Sequence, residues 1–370
     1  MDAYLDGFNS LLQDLVSSAA LTRDRRFVVD LAPILVTHTL AEALAHAPSG
    51  LPFFRSILKK QPPPPLEFTL SYNQQGLENL GYRLSAPAND NWNWLTAQAG
   101  VIQHLLERMG ASALLPLHNA LMNGLCPPSG ARLQGSARIG VIHRQAVRPS
   151  LHIDYPLPVQ AELRDEKLLQ TSEALQDYLG SLNIFCLQQQ LPGVEPVTLR
   201  IEFGASTPRL VCISQSRQAC SFHDLQSWMQ ILGVRESFAL LHGFYNLLTT
   251  KNNDKIMPPF KLAIGQNAGN VRPSLGIFFS PAHFVSSDDM AFIQVNRLLQ
   301  QMGCDAEQYA RASQLVAGGG FATRRLDLHS QVGIHLNGYT AAVQVGLRPS
   351  WERLRSKARR SPFTAAGASI

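Results

Sequence analysis

Ionisable and amide-bearing side chains recur at every second position in short segments that otherwise read as buried strands. Over residues 66–72, Glu67, Thr69 and Ser71 alternate with Phe68, Leu70 and Tyr72. Ser150, His152 and Asp154 alternate with Leu151, Ile153 and Tyr155, and Thr198, Arg200 and Glu202 with Leu199, Ile201 and Phe203. Lys261, Ala263 and Gly265 oppose Phe260, Leu262 and Ile264; Gln331, Gly333 and His335 oppose Val332, Ile334 and Leu336. A carboxylate at Glu67, imidazoles at His152 and His335, and cations at Arg200 and Lys261 would thus share one face with Asp154. Such a set can accept a proton, pass it on, and neutralise an anion.

These segments belong to strand pairs. The first pair covers 66–72 and 80–85, the second 137–143 and 150–155, the third 197–203 and 209–214. The fourth covers 260–265 and 274–279, and the fifth 331–336 and 340–347, joined through Asn337-Gly338, a short-hairpin signal. Helical periodicity fills the intervals: 94–109 with 111–123, 165–190, 222–232 with 236–249, and 288–302 with 306–316. Gly110, Gly233 and Gly303 stand where glycine ends a helix well. The unit is α-β-β-α, used five times.

Ten antiparallel strands with one apolar face toward helices must still dispose of two edges, and closure removes them. The fold expected is α+β: a ten-stranded antiparallel closed β-barrel with helices outside and a polar lumen within. Ten strands make a barrel wider than the eight-stranded kind that its own side chains fill, so the lumen would hold solvent and a ligand. An open sheet with one wet face is the alternative; five matching repeats favour closure. The barrel is assigned to residues 1–350. Residues 351–370 carry Arg353, Arg355, Lys357, Arg359 and Arg360 against Glu352 and read as a basic, flexible tail.

That tail holds most of the formal net charge of +5 on this 370-residue chain, which argues against nucleic-acid binding. With 45% hydrophobic and 16% charged residues, the composition is that of a globular protein, neither disordered nor coiled-coil. Cys126, Cys186, Cys212, Cys220 and Cys304 lack CxxC spacing and read as reduced thiols. No apolar run reaches membrane-spanning length, and the acidic start, MDAYLDGF, does not suit a signal peptide. A cytoplasmic protein without nucleic-acid or membrane partners is expected.

The five-fold αββα pattern resembles the ABBA (PT-barrel) aromatic prenyltransferases, closest to the dimethylallyltryptophan synthase type. The best local match is the run from Pro65 to Asn73 (PLEFTLSYN), where the family's glutamate accepts the N–H of an indole; the resemblance gives Glu67 that role. Arg83, in GYRLS, and Arg209, in PRLVCI, match arginines that bind diphosphate. Ser221-Phe222 and Leu232-Gly233 keep the family's spacing to the next helix, and the run from Ile277 to Pro281 (IFFSP) resembles its eighth strand. The resemblance implies metal-independent alkylation of an indole-type arene by an allylic diphosphate, in secondary metabolism of the alkaloid kind. No cofactor would be needed; the partners would be an aromatic acceptor and an allylic diphosphate, and the chain a monomer or homodimer. Arg83, Arg209, Arg200 and Lys261 would bind the diphosphate, His152 or His335 would take the ring proton, and Thr69, Asp154, Phe278 and Gln344 would line the lumen.

The chain departs from the family where the latter places lysines and a ring of tyrosines. Its fourth strand offers His152 and Asp154, its sixth Val211 and Ile213, and its tenth Gln344 and Gly346. The eighth offers Gly276 with Phe278 or Ile277 with Phe279, according to register. Asp154 would repel a diphosphate unless Arg200 or Arg209 pairs with it. A barrel enzyme that uses no diphosphate, and catalyses cyclisation, isomerisation or coupling of an indole compound, is therefore one alternative; a non-catalytic binding protein is another. Asp288-Asp289 follows Ser286-Ser287 and reads as helix capping rather than a metal-diphosphate motif. Gly318-Gly319-Gly320 lacks the Lys-Ser/Thr of a phosphate loop, and the histidines lack metal-ligand spacing. Trp92 and Trp94 read as core or cap, and the run from Pro62 to Pro65 as a stiff lead-in.

Overall fold

The computed structural model describes residues 2–18, 30–35, 65–86, 91–144, 147–179, 190–204, 207–216, 220–234, 238–249, 256–267, 273–318, 320–321, 326–337 and 340–358. Ten strands form the barrel: β1 (Leu66–Asn73), β2 (Gly76–Ser85), β3 (Arg138–Arg144), β4 (Val147–Pro158), β5 (Val194–Phe203), β6 (Pro208–Ser216), β7 (Phe260–Asn267), β8 (Ser274–Phe279), β9 (His329–Asn337) and β10 (Thr340–Leu347). Each pairs antiparallel with its chain neighbours, and β10 returns to β1. Every barrel strand therefore has two partners, and the sheet has no open edge. The alternation expected for β1 holds in its register: Glu67 pairs with Arg83 and Thr69 with Gly81 on the inner face, Phe68 with Tyr82 on the outer.

The outer face is the core. Phe68, Tyr82, Ile153, Leu199, Ile201, Phe203 and Val345 are fully buried beneath the helices, each such side chain contributing about 1.5–3 kcal/mol. The helices are α1 (Asp2–Ser18), α2 (Asn91–Ala97), α3 (Ala99–Arg108), α4 (Leu115–Leu125), α5 (Ala161–Leu179), α6 (Phe222–Ile231), α7 (Phe238–Leu248), α8 (Asp288–Gln301), α9 (Ala306–Ala317) and α10 (Trp351–Ala358). Phe8 of α1 stacks on Phe68 at 5.9 Å and meets Tyr82 edge-on at 5.8 Å. Sequence chemistry fixes the helix ends. Ser221 and Asp224 form a capping box on α6, Asp305 caps α9, and Gly303, at φ 72°, follows α8.

Several expectations are adjusted. The helix expected over 165–190 begins at Ala161 and runs to Leu179; 180–189 lie outside the described residues. β4 is longer than its sequence signal because it continues past Tyr155 to Pro158 and pairs there with Leu133 and Gln134. The basic segment opens with α10, whose Leu354 is fully buried. α10 meets α1 so closely that a Cβ on Gly7 would stand 1.7 Å from the Leu354 carbonyl oxygen. Asp288 does more than begin a helix: its carboxylate accepts the backbone N–H groups of Asp327, Leu328 and His329 and contacts His329 Nδ1 at 2.9 Å. Tyr309 of α9 completes this buried link, 2.8 Å from His329 Nε2, tying two helices to the start of β9. Trp94 is core and Trp92 packs against it. Cys126, Cys212, Cys220 and Cys304 are free thiols. Cys186, Pro62, Pro63, Pro64, Glu236, Gly319, Gly338, Arg359 and Arg360 lie outside the described residues.

Candidate active site in the barrel lumen

The inward positions enclose a cavity of about 540 Å³ that runs along the barrel. Thr69, Arg83, His152, Asp154, Arg200, Arg209, Lys261, Phe278, His335 and Gln344 all line it. The register of β8 is settled: Gly276 pairs with His335 and Phe278 with Gly333 on the inner face, while Ile277 and Phe279 belong to the core. Arg138, Arg144 and Glu202 also line the cavity. Glu202 stood on the polar face in the sequence without a role. Arg138 and Arg144 were missed, although the alternation of Arg138, Gly140, Ile142 and Arg144 along β3 carries the signal.

Glu67 is placed differently from its companions. It is 4% exposed and does not line the cavity. Arg83 Nη2 donates to its Oε1 at 2.7 Å, and Arg348 stands 3.6 Å from Oε2. Burial alone would raise the Glu67 pKa; Arg83, Arg138 and Arg348 outweigh it and hold the group at about 2. Gln331 takes a further bond from Arg83, at 3.3 Å.

Two more charge clusters follow from cross-strand register. Asp154 pairs with Arg200 between β4 and β5, and the guanidinium donates through Nε and Nη2 at 2.5 and 2.9 Å. This fork-on-carboxylate geometry resolves the repulsion that Asp154 alone would present. Burial opposes ionisation of Asp154, yet Arg200 holds its pKa well below the usual carboxylate range. Glu202 accepts from Arg144 at 2.8 Å and lies 3.4 Å from Arg209. Burial is outweighed there too, by Arg209 and then Arg144, and Glu202 stays ionised. Arg144 also bonds Ser150 and Arg209 bonds Ser274, at 2.9 and 2.6 Å.

Burial, followed by Arg200, pushes His152 down to about 3; burial and Arg209 push His335 down to about 4. Both imidazoles are therefore neutral at pH 7. His152 lies across Gly140, where a Cβ would come within 2.4 Å of its ring, and neither of its nitrogens has a partner. His335 is half-buried, hydrogen-bonds Gln344, and meets Phe278 edge-on at 5.1 Å. Phe278 is, among the described residues, the one Phe, Tyr or Trp on the cavity wall. Its ring occupies the space that side chains on Gly276 and Gly333 would need. Beside it, Ala263 pairs with Ile213, and Gly265 with Val211, giving the middle of β6–β8 an apolar surface.

Among the described residues, no group of three or more His, Cys, Asp or Glu could hold a metal ion, and no helix is long and apolar enough to cross a membrane. No family model and no curated protein matches the chain. Solved structures do. The 6-dimethylallyltryptophan synthase of Micromonospora olivasterospora, in complex with DMASPP and Trp, is 18% identical with a TM-score of 0.67, covering 93% of this chain and 97% of that one. The prenyltransferase PriB, in its apo form, is 18% identical with a TM-score of 0.72, covering 95% and 97%. The 5-dimethylallyl tryptophan synthase of Streptomyces coelicolor, in complex with DMASPP and Trp, is 18% identical with a TM-score of 0.69, covering 95% and 96%. With ten strands closed around a polar lumen and helices outside, the chain has the PT-barrel fold of the ABBA aromatic prenyltransferases.

Proposed function

We propose that the protein is a metal-independent aromatic prenyltransferase of secondary metabolism, acting on an indole-type acceptor with an allylic diphosphate. The observation that carries this reading is the lumen's charge. Six basic side chains, Arg83, Arg138, Arg144, Arg200, Arg209 and Lys261, face a cavity that also has an apolar strip. Cations are what an allylic diphosphate needs to ionise, because they stabilise the charge that builds on the departing group. The C1–O bond breaks with both electrons leaving on the diphosphate. A ring carbon of the acceptor then bonds C1, and its proton is lost to a neutral imidazole. His335 suits that last step better than His152, because it is half-buried beside Phe278 and is not pressed flat on the wall.

Glu67 is the residue for which the resemblance and the local geometry pull apart. With Arg83 on one oxygen, its role is to position Arg83 unless that pair opens when the acceptor binds. The replacement of expected tyrosines by Val211, Ile213 and Gly276 favours a second reading, a barrel enzyme that transforms an indole compound without diphosphate. One experiment separates the two: the protein is incubated with dimethylallyl diphosphate and indole acceptors in excess EDTA. Alkylated product supports prenyl transfer. Tight binding of an indole compound with no binding of any allylic diphosphate supports the second reading instead.

A further inference from the structure

The cations of the lumen differ in what they already hold. Arg83 is bonded to Glu67, Arg200 doubly to Asp154, and Arg144 and Arg209 share Glu202. Arg138 and Lys261 form no ion pair with any described residue, and the Nε of Arg138, like that of Arg83, is buried without an acceptor. A covered donor with no partner costs on the order of 1–3 kcal/mol. An anion relieves it only where the guanidinium turns this edge toward the lumen.

The two side chains also stand at the same end of the barrel. Arg138 opens β3 and pairs in register with Ser85 and Asp154; Lys261 is second in β7 and pairs with Gln215 and Phe278. With ten strands in a ring, β3 and β7 lie on facing sides of the lumen. Lys261 lines the cavity and its side chain is exposed there. Desolvation lowers its pKa to about 8, aided by the positive charges of Arg138 and Arg83 and opposed by Glu67 and Asp154. Two like charges that face one space, neither of them within ion-pair distance of a described carboxylate, describe a seat for an anion.

We infer that Arg138 and Lys261 form the primary anion seat of the lumen and take the diphosphate of the donor, while Arg83 and Arg209 remain engaged with Glu67 and Glu202. The inference rests on the prenyl-transfer reading and changes its geography, since the resemblance points to Arg83 and Arg209. It also sets the donor's direction: the diphosphate lies at the end where β3 and β7 begin, and the hydrocarbon extends over Phe278, which pairs with Lys261 in register.

The test is calorimetry with inorganic pyrophosphate on the full chain and on Arg138→Gln, Lys261→Gln, Lys261→Arg and Arg209→Gln. Thermal melts establish that each variant is folded. Arg138→Gln and Lys261→Gln should each weaken pyrophosphate about tenfold or more, which is about 1.4 kcal/mol. Lys261→Arg should recover most of the affinity, and Arg209→Gln should change it less than threefold. Loss on Arg209→Gln with retention on the other two overturns the inference and leaves the prenyl-transfer reading intact. Equal weakening by all three also overturns it, because no one pair then dominates. Absence of pyrophosphate binding to the unaltered chain removes the reading and the inference together.

Discussion

The two sides of the lumen are built on the same strand alternation and use it in opposite ways. From β2 to β5 the inward positions are crowded with charge: Arg83, Arg138, Arg144, Asp154, Arg200 and Glu202, with His152 between them. From β6 to β8 the central inward positions are Val211, Ile213, Ala263 and Gly276, with Phe278 level with Lys261, and charge survives only toward the ends, at Arg209 and Lys261. The charged side is largely self-neutralising, held rigid by carboxylates that stay ionised in spite of burial. Between those two end cations the apolar side has nothing to hold a phosphate but offers a smooth surface to hydrocarbon. A donor with an ionic head and an apolar tail needs one of each. The comparison teaches that counting cations overstates the binding site; the cations without a partner locate it.

The largest effect should come from breaking the charged side. Arg200→Ala strands Asp154 in the wall, and loss of one partner of a buried pair typically costs 3–5 kcal/mol. Urea denaturation should show a loss of about that size, with a smaller loss for the double change that also removes the Asp154 charge. An equal loss in the double variant would mean that packing, not the stranded charge, dominates there.

The apolar side should break through volume. In Gly333→Ala the new Cβ would stand 2.2 Å from the Phe278 ring and 2.4 Å from the Ile277 carbonyl oxygen. The ring can turn away, while the carbonyl contact requires β8 and β9 to shift apart locally, and overpacking of this kind costs about 1–3 kcal/mol. Phe278 should swing into the cavity, so donor binding should weaken more than inorganic pyrophosphate binding. Calorimetry with both ligands checks this; parallel losses would show that the ring does not touch the tail.

The smallest effect should be a gain. The ammonium of Lys261 is disfavoured in the folded lumen, where its pKa is about 8 against 10.5 ordinarily. Between those values the unfolded chain binds more protons than the folded one, so this group makes stability rise with pH from about 8 to 10.5. Below 8 the cost is fully present. Lys261→Met should therefore raise the melting temperature slightly at pH 7, and the gain should fade by pH 10. Desolvation sets this first, followed by the charges of Arg138 and Arg83, with Glu67 and Asp154 opposing. A lower melting temperature at pH 7 would mean that the ammonium stabilises the empty barrel.

Much of the barrel was legible because its signals are local. Five hairpins, their alternation and the helices between them each depend on fewer than about twenty adjacent residues, and closure follows from the need to hide edges. His152, Asp154 and Lys261 were legible as inward residues for the same reason, whereas Arg83 and Arg209 came from the family resemblance. Apart from Asp154 with Arg200, what was not legible is who holds whom. Glu202 meets Arg144 from a strand some sixty positions away, and Arg348, just past β10, reaches Glu67 on the adjacent β1 from the far end of the sequence; alternation gives a side chain's face but not the partner it reaches. The seats beneath the rings were hidden likewise. Gly333 looks like a weak strand residue until Phe278 is seen lying over it. Asp288 reads as a helix start because its contact with His329 spans an interval that periodicity cannot bridge.

The central claim is that one end of the lumen holds diphosphate on Arg138 and Lys261 while the wall of β6–β8 carries the hydrocarbon. A crystal structure with dimethylallyl thiolodiphosphate tests it most directly. The expected result is the diphosphate within hydrogen-bond distance of Arg138 and Lys261, the allylic carbons against Phe278, and the Asp154–Arg200 and Glu202–Arg144 pairs intact. Diphosphate bound instead to Arg209 at the opposite end, or a lumen that stays without ligand at saturating concentration, would contradict it.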